Sequence, residues 1–129
     1  MLALETVEGY RLAADAADLD KLIVENVLVL RFAPDDVFGV LLQPDGWLDL
    51  ENSSTAIVVK EAGFVGCWLS SDELAVRVLA HVDWALPEAR PVLAQGLIAG
   101  VPAKLWLESG RALLLCAAAH AHELAERLG

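Results

Sequence analysis

Positive charge is what this chain has least of. Nine Lys and Arg stand against 19 Asp and Glu, and the only lysines, Lys21, Lys60 and Lys104, are scattered. A protein that binds nucleic acid or an anionic membrane needs clustered cations to displace counterions, so neither is an expected partner. Cysteine is nearly as scarce. Cys67 and Cys116 each sit inside an apolar run, which predicts two buried thiols rather than a disulfide framework. Histidine occurs three times. His120 and His122 are spaced i, i+2, which on a helix points the rings apart, whereas a metal pair needs i, i+3 or i, i+4. No apolar run is long enough to span a bilayer. The opening MLALETVEGYRLAADAADL lacks a basic leader region, so the sequence predicts a cytoplasmic protein.

Catalytic motifs are missing too. Ser53, Ser54, Ser70, Ser71 and Ser109 fall in turn or cap contexts, outside any G-x-S-x-G elbow. Gly96 to Gly100 has two glycines but neither the Lys and Ser/Thr of a phosphate loop nor the third Gly of a dinucleotide turn. A hairpin turn accounts for it. The acid pairs Asp35/Asp36 and Asp72/Glu73 lie at a turn and a helix start, where acids serve structure. His81 near a helix end, with Asp83 beyond it, has no third member for a site. No catalytic, cofactor-binding or metal-binding residue is assigned.

What the chain does have is apolar side chains, 57% of 129 residues. Alanine accounts for 21 of them and buries little, but 24 Leu, 14 Val and four Trp remain. That exceeds the share of an ordinary soluble domain, and the surplus predicts a partner: another protein subunit or a second copy.

The chain length predicts a single domain over 1–129. Residues 1–26 are the least legible, with a short helix from Leu12 to Glu25 suggested by Leu12, Ala16, Leu19 and Ile23. An α+β core follows over 27–128. Val27–Phe32 and Val37–Leu42 flank the turn Ala33-Pro-Asp-Asp36 and read as a hairpin. Gln43 to Gly46 is a turn and 47–55 a loop or edge. Ala56–Lys60 and Phe64–Leu69 are strand-like. Ser70 to Glu73 matches a capping box, opening a helix with Leu74, Ala75, Val78, Leu79 and Val82 on one face. Runs 92–98, 102–108 and 111–116 are too closely spaced for anything but antiparallel hairpins. Within 102–108, Ala103, Leu105 and Leu107 alternate with Lys104, Trp106 and Glu108, predicting one wet face; 111–116 does not alternate, predicting a central strand. Ala117–Leu128 closes the chain as a helix. The C-terminal order is β-α-β-β-β-α. The predicted fold is α+β: a mixed, mostly antiparallel sheet with two or three helices packed on it.

Several of these segments also resemble one family. Arg31 to Phe38 (RFAPDDVF) resembles the L-x-P-D-E-W-L hairpin of the gamma subunit of heterotetrameric sarcosine oxidase. Phe64 to Ala80 resembles its next strand and L-S-G-P-x-A-x-x-V-L-A helix. Asp83 to Pro87 is similar to its D-L-x-P connector, and Leu93 to Trp106 to its A-x-T-L-x-A-x-V-P-V-x-L-W hairpin. The order and spacing agree over roughly residues 29–128. The chain departs at Ser71 and Asp72, which replace Gly and Pro, and at Val37, which replaces Trp. The resemblance implies a fold related to the aminomethyltransferase T-protein. It also implies an accessory role without catalytic residues, since the family's flavin, NAD and folate chemistry belongs to other subunits.

Two functions therefore compete. The first is a non-catalytic interaction subunit of that kind, with Trp106 as interface candidate because a Trp on a wet face is out of place. The second is a small-molecule-binding protein or small enzyme with an apolar pocket lined by Trp47, Trp68, Trp84 or Trp106.

Overall fold

In the computed structural model, residues 1–21, 28–40 and 56–129 are described. The chain forms two compact units, Met1–Thr6 with Gly63–Gly129, and Val7–Ala62. Both are built on antiparallel sheets, so the α+β class expected from sequence holds, with two sheets in place of one.

The first unit starts with β1, only Glu5–Thr6, and resumes with β6, Phe64–Ser70. A helical segment follows: α2 at Ser71–Glu73, a π-helical turn at Leu74–Val78 and a 3-10 turn at Leu79–His81. Then come β7 (Val92–Ile98), β8 (Val101–Leu107) and β9 (Arg111–Ala117). A 3-10 turn at Ala118–His120 then leads into the closing helix, Ala121–Leu128. The sheet order is β1-β6-β9-β8-β7. That order explains the two patterns read from sequence. In β9 every residue from Ala112 to Cys116 is buried, as a central strand requires. In β8 burial alternates, with Ala103, Leu105 and Leu107 inside and Lys104, Trp106 and Glu108 half-exposed on the reverse face.

The core of this unit gathers Val65, Leu69, Val78, Ala94, Ile98, Leu105, Leu114 and Leu124. The last helix contributes Leu124, Ala125 and Leu128, one apolar stripe, while Glu123, Glu126 and Arg127 face water. Ser70 caps α2 as expected: its Oγ accepts from the Glu73 amide at 3.1 Å while Glu73 Oε1 accepts from the Ser70 amide at 3.0 Å. Beyond the cap the winding differs from the regular helix predicted. A π turn holds one residue more than an α turn, so the expected stripe slips: Val78 is buried, but Ala75 is exposed.

The second unit holds β2 (Gly9–Ala13), α1 (Ala16–Asp20), β3 (Leu28–Ala33), β4 (Asp36–Val40) and β5 (Ile57–Glu61). Its sheet order is β3-β4-β2-β5. The β3–β4 hairpin turns at Pro34-Asp35 as predicted. Where one helix was expected from Leu12 to Glu25, the described residues place Leu12 in β2 and Ala16–Asp20 in α1, and residues 22–25 lie outside the described residues. Leu12 and Leu19 do share one core with Ala14 and Val37, but Leu12 reaches it from a strand. β2 can lie between β4 and β5 because Gly9 has no side chain: a Cβ there would stand 2.0 Å from the Gly39 carbonyl oxygen. Asn26, Leu41, Leu42, the Gln43–Gly46 turn, Trp47 and the rest of 47–55 lie outside the described residues.

The closing helix, Ala121–Leu128, is α3. None of the described helices is long and apolar enough to cross a membrane.

Candidate interaction surface

The reverse face of the five-stranded sheet carries the interface candidate nominated from sequence, Trp106. Side chains two apart on a strand share a face, so Trp106 and Glu108 stand together, and the indole Nε1 donates to Glu108 Oε2 at 2.9 Å. Ser109-Gly110 then turns the chain, and the Glu108 amide bonds the Arg111 carbonyl at 2.9 Å. That turn brings Arg111 Nε to Glu108 Oε1 at 2.8 Å. The guanidinium lies over Trp68, with Cζ 3.8 Å from the ring centre. A cation over indole at an exposed site contributes about 0.5–1 kcal/mol.

Register assembles the rest. Trp68 pairs with Leu113, Leu113 with Trp106, and Trp106 with Leu93, so four apolar side chains cross four strands in one row. Leu113 is buried, Trp106 and Leu93 are half-buried, and Trp68 is 42% exposed. Along the row's margin runs the polar chain Trp106–Glu108–Arg111. The bond from Arg111, then that from Trp106, holds the Glu108 carboxyl below the usual range. Such a carboxylate stays ionised and is a weak proton acceptor, so it positions neighbours rather than moving protons.

Several other groups considered for chemistry have structural surroundings among the described residues. Burial pushes the Cys67 and Cys116 thiols up, away from the nucleophilic thiolate. His122 lies 3.4 Å from Glu126 on the exposed side of α3. His120 is the half-buried residue at the α3 N-cap. His81 is exposed, and its carbonyl accepts from the Ala99 amide at 3.0 Å. Asp36 holds Arg11, and the Glu73 carboxyl is lowered by its bonds to Ser70. Among the described residues no cluster of His, Cys, Asp and Glu is arranged to hold a metal ion.

Among the described residues the tryptophans do not line one pocket. Trp84 fits against Gly96, where a Cβ would stand 2.6 Å from its Cε2, and its Nε1 donates to the Leu97 carbonyl at 2.7 Å. Trp68 is covered by Arg111, and Trp47 is outside the described residues. A shallow groove of about 510 Å³ is lined by Ala16, Asp20, Arg31, Phe32, Ala33 and Pro34. Another of about 340 Å³ runs along Gln95–Leu97 and Pro102–Lys104. Neither has a Trp in its wall.

Two arginines went unnoticed in the sequence. Arg11 on β2 forks onto Asp36 of β4 at 2.8 and 2.6 Å and reaches Glu61 of β5 at 3.1 Å, clasping both neighbouring strands. Arg31 donates to the carbonyls of Ala16 and Pro34 at 3.1 and 2.6 Å. A charged residue inside the apolar GYRLA run was the available signal for Arg11, since buried charge demands partners.

No family model matches the chain, and no curated protein matches its sequence. Among solved structures, the fold is similar to a chain of heterotetrameric sarcosine oxidase from Corynebacterium sp. U-96 in complex with pyrrole 2-carboxylate. The TM-score is 0.74 at 14% identity, covering 97% of this chain and 79% of that chain.

Proposed function

We propose that this chain is a non-catalytic accessory subunit, of the sarcosine oxidase gamma type, that acts in the cytoplasm by contributing surface to an assembly of other protein subunits. One observation carries the reading: nearly the whole chain is similar in fold to a chain of a heterotetramer. The structural occupation of Ser70, Glu73, Asp36 and Glu108 supports it, since the side chains best suited to catalysis are committed to caps and clasps. The row through Trp106 is the partner face, because Trp and Arg are the side chains most enriched among interface anchors.

The test is purification of the tagged chain from its native cells at its natural expression level. Stoichiometric recovery of subunits that carry flavin absorbance, with no amine-oxidising activity in the separated chain, is the expected result. Recovery of the chain alone, turning over or tightly binding a small molecule, would favour the ligand-binding reading instead.

A further inference from the structure

Four strands stand at sheet edges among the described residues, β1 and β7 in one sheet, β3 and β5 in the other. An open edge invites another strand, and proteins blunt it with short strands, charges, prolines or bulges. β1 is two residues long. β3 carries Arg31 and a register shift between Arg31 and Ala33. β5 carries Lys60 and Glu61. β7 reads VLAQGLI, seven residues with no charge and no proline. Nothing in the strand itself opposes addition.

The protection comes from the segment before it. Residues 99–100 form a two-residue turn between Ile98 and Val101. Counting back from that closing pair, Leu97, Gln95 and Leu93 fall in the alternate pairs, whose amides and carbonyls point away from β8. Pro102 opposite Leu97 fits this count, since its missing N–H takes nothing from the β7–β8 ladder. The outward Leu97 carbonyl is the one that Trp84 Nε1 occupies at 2.7 Å. The indole reaches it by lying where Gly96 has no side chain. Val82, Trp84 and Leu86 each pack against the core, and the Ala99 amide is tied to the His81 carbonyl.

We propose that residues 82–91 are a strap closing the outer edge of β7, with Trp84 as its latch, and that releasing the latch opens β7 to antiparallel pairing with β7 of a second copy. The uncharged, proline-free strand is what makes a second copy the occupant. This stands whether or not the chain is a subunit of a larger assembly.

Two variants release the latch by different routes. Trp84→Phe keeps a ring but loses the N–H, and Gly96→Ala pushes the indole out. Each is made alone and together with Gln95→Pro, which blocks an outward amide without removing a β7–β8 backbone bond, at the loss of the side-chain bond from Lys104 Nζ to Gln95 Oε1 at 2.9 Å. Mass is followed by sedimentation from low to high micromolar concentration, with folding checked by circular dichroism. The expected result is a weight-average mass that at least doubles over wild type as concentration rises, returning to the wild-type value with Gln95→Pro. A folded variant that keeps the wild-type mass throughout, or one whose gain survives Gln95→Pro, overturns the proposal. Loss of fold in both variants also overturns it, because a latch confined to the edge is releasable without unfolding the sheet.

Discussion

At single residues, Ala99 bears the clearest strain. Its φ is +52° and that of Gly100 is +79°, the two left-handed positions of a hairpin turn that prefers Asn-Gly. An L-residue with a plain methyl gives up about 1–2 kcal/mol there, which Asn offsets with its short polar side chain. Ala99→Asn is therefore expected to stabilise the chain by about 1 kcal/mol, read as a higher denaturant midpoint with unchanged slope. Glu108 sets a second expectation. Arg111 and Trp106 lower its folded pKa below the unfolded value, so its contribution is complete above the ordinary carboxylate range. It is lost as pH falls through the lower folded pKa. Stability measured from neutral pH downward should decline less steeply in Glu108→Gln than in wild type; parallel curves would show that the bonds to Glu108 carry no pH dependence.

Among the elements, the strand least visible in the sequence makes the sharpest demand. Gly9→Ala sets a Cβ against the backbone of Gly39, which cannot turn aside as a side chain would. A cost of about 3 kcal/mol or more is expected from such overpacking, checked by chemical denaturation. The same strand shows why legibility stopped where it did. Hairpins with their own turn chemistry, such as β3–β4 and β7–β8, could be read because both partners and the turn are local. The spacing of Leu12, Ala16 and Leu19 imitates a helix, and only β4 and β5 on either side make Gly9–Ala13 a strand. β5 and β6 are separated by two residues yet join different sheets, a choice of partner that no local pattern encodes. The capping box announced α2, but the π winding behind it depends on packing. Trp106 was correctly placed on the half-wet face of β8. Its link to Trp68 needed the β6–β9 register, which brings Arg111 opposite Ser70.

For the molecule as a whole, the Trp106 row is the proposed partner face, and truncation there should separate association from folding. Trp106→Ala is expected to weaken partner binding by about 2 kcal/mol, measured by titration calorimetry against the recovered partner. A loss of about 3–5 kcal/mol of folding stability, the cost of an emptied core site, would instead identify the side chain as internal support. The path of the chain has a consequence of its own. Leu2 and β1 belong to the first unit, whose remaining residues begin at Gly63, so the whole of Val7–Ala62 is threaded between them. During synthesis β1 emerges before the inserted unit and must wait for β6 while that unit completes its own contiguous sheet. Closing so long an excursion adds only about 0.6 kcal/mol per doubling of its length, yet it delays the rendezvous of β1 with β6 until the whole inserted unit exists. Birth order and assembly order are thus inverted for β1: it is made before the inserted unit and finds its place after it.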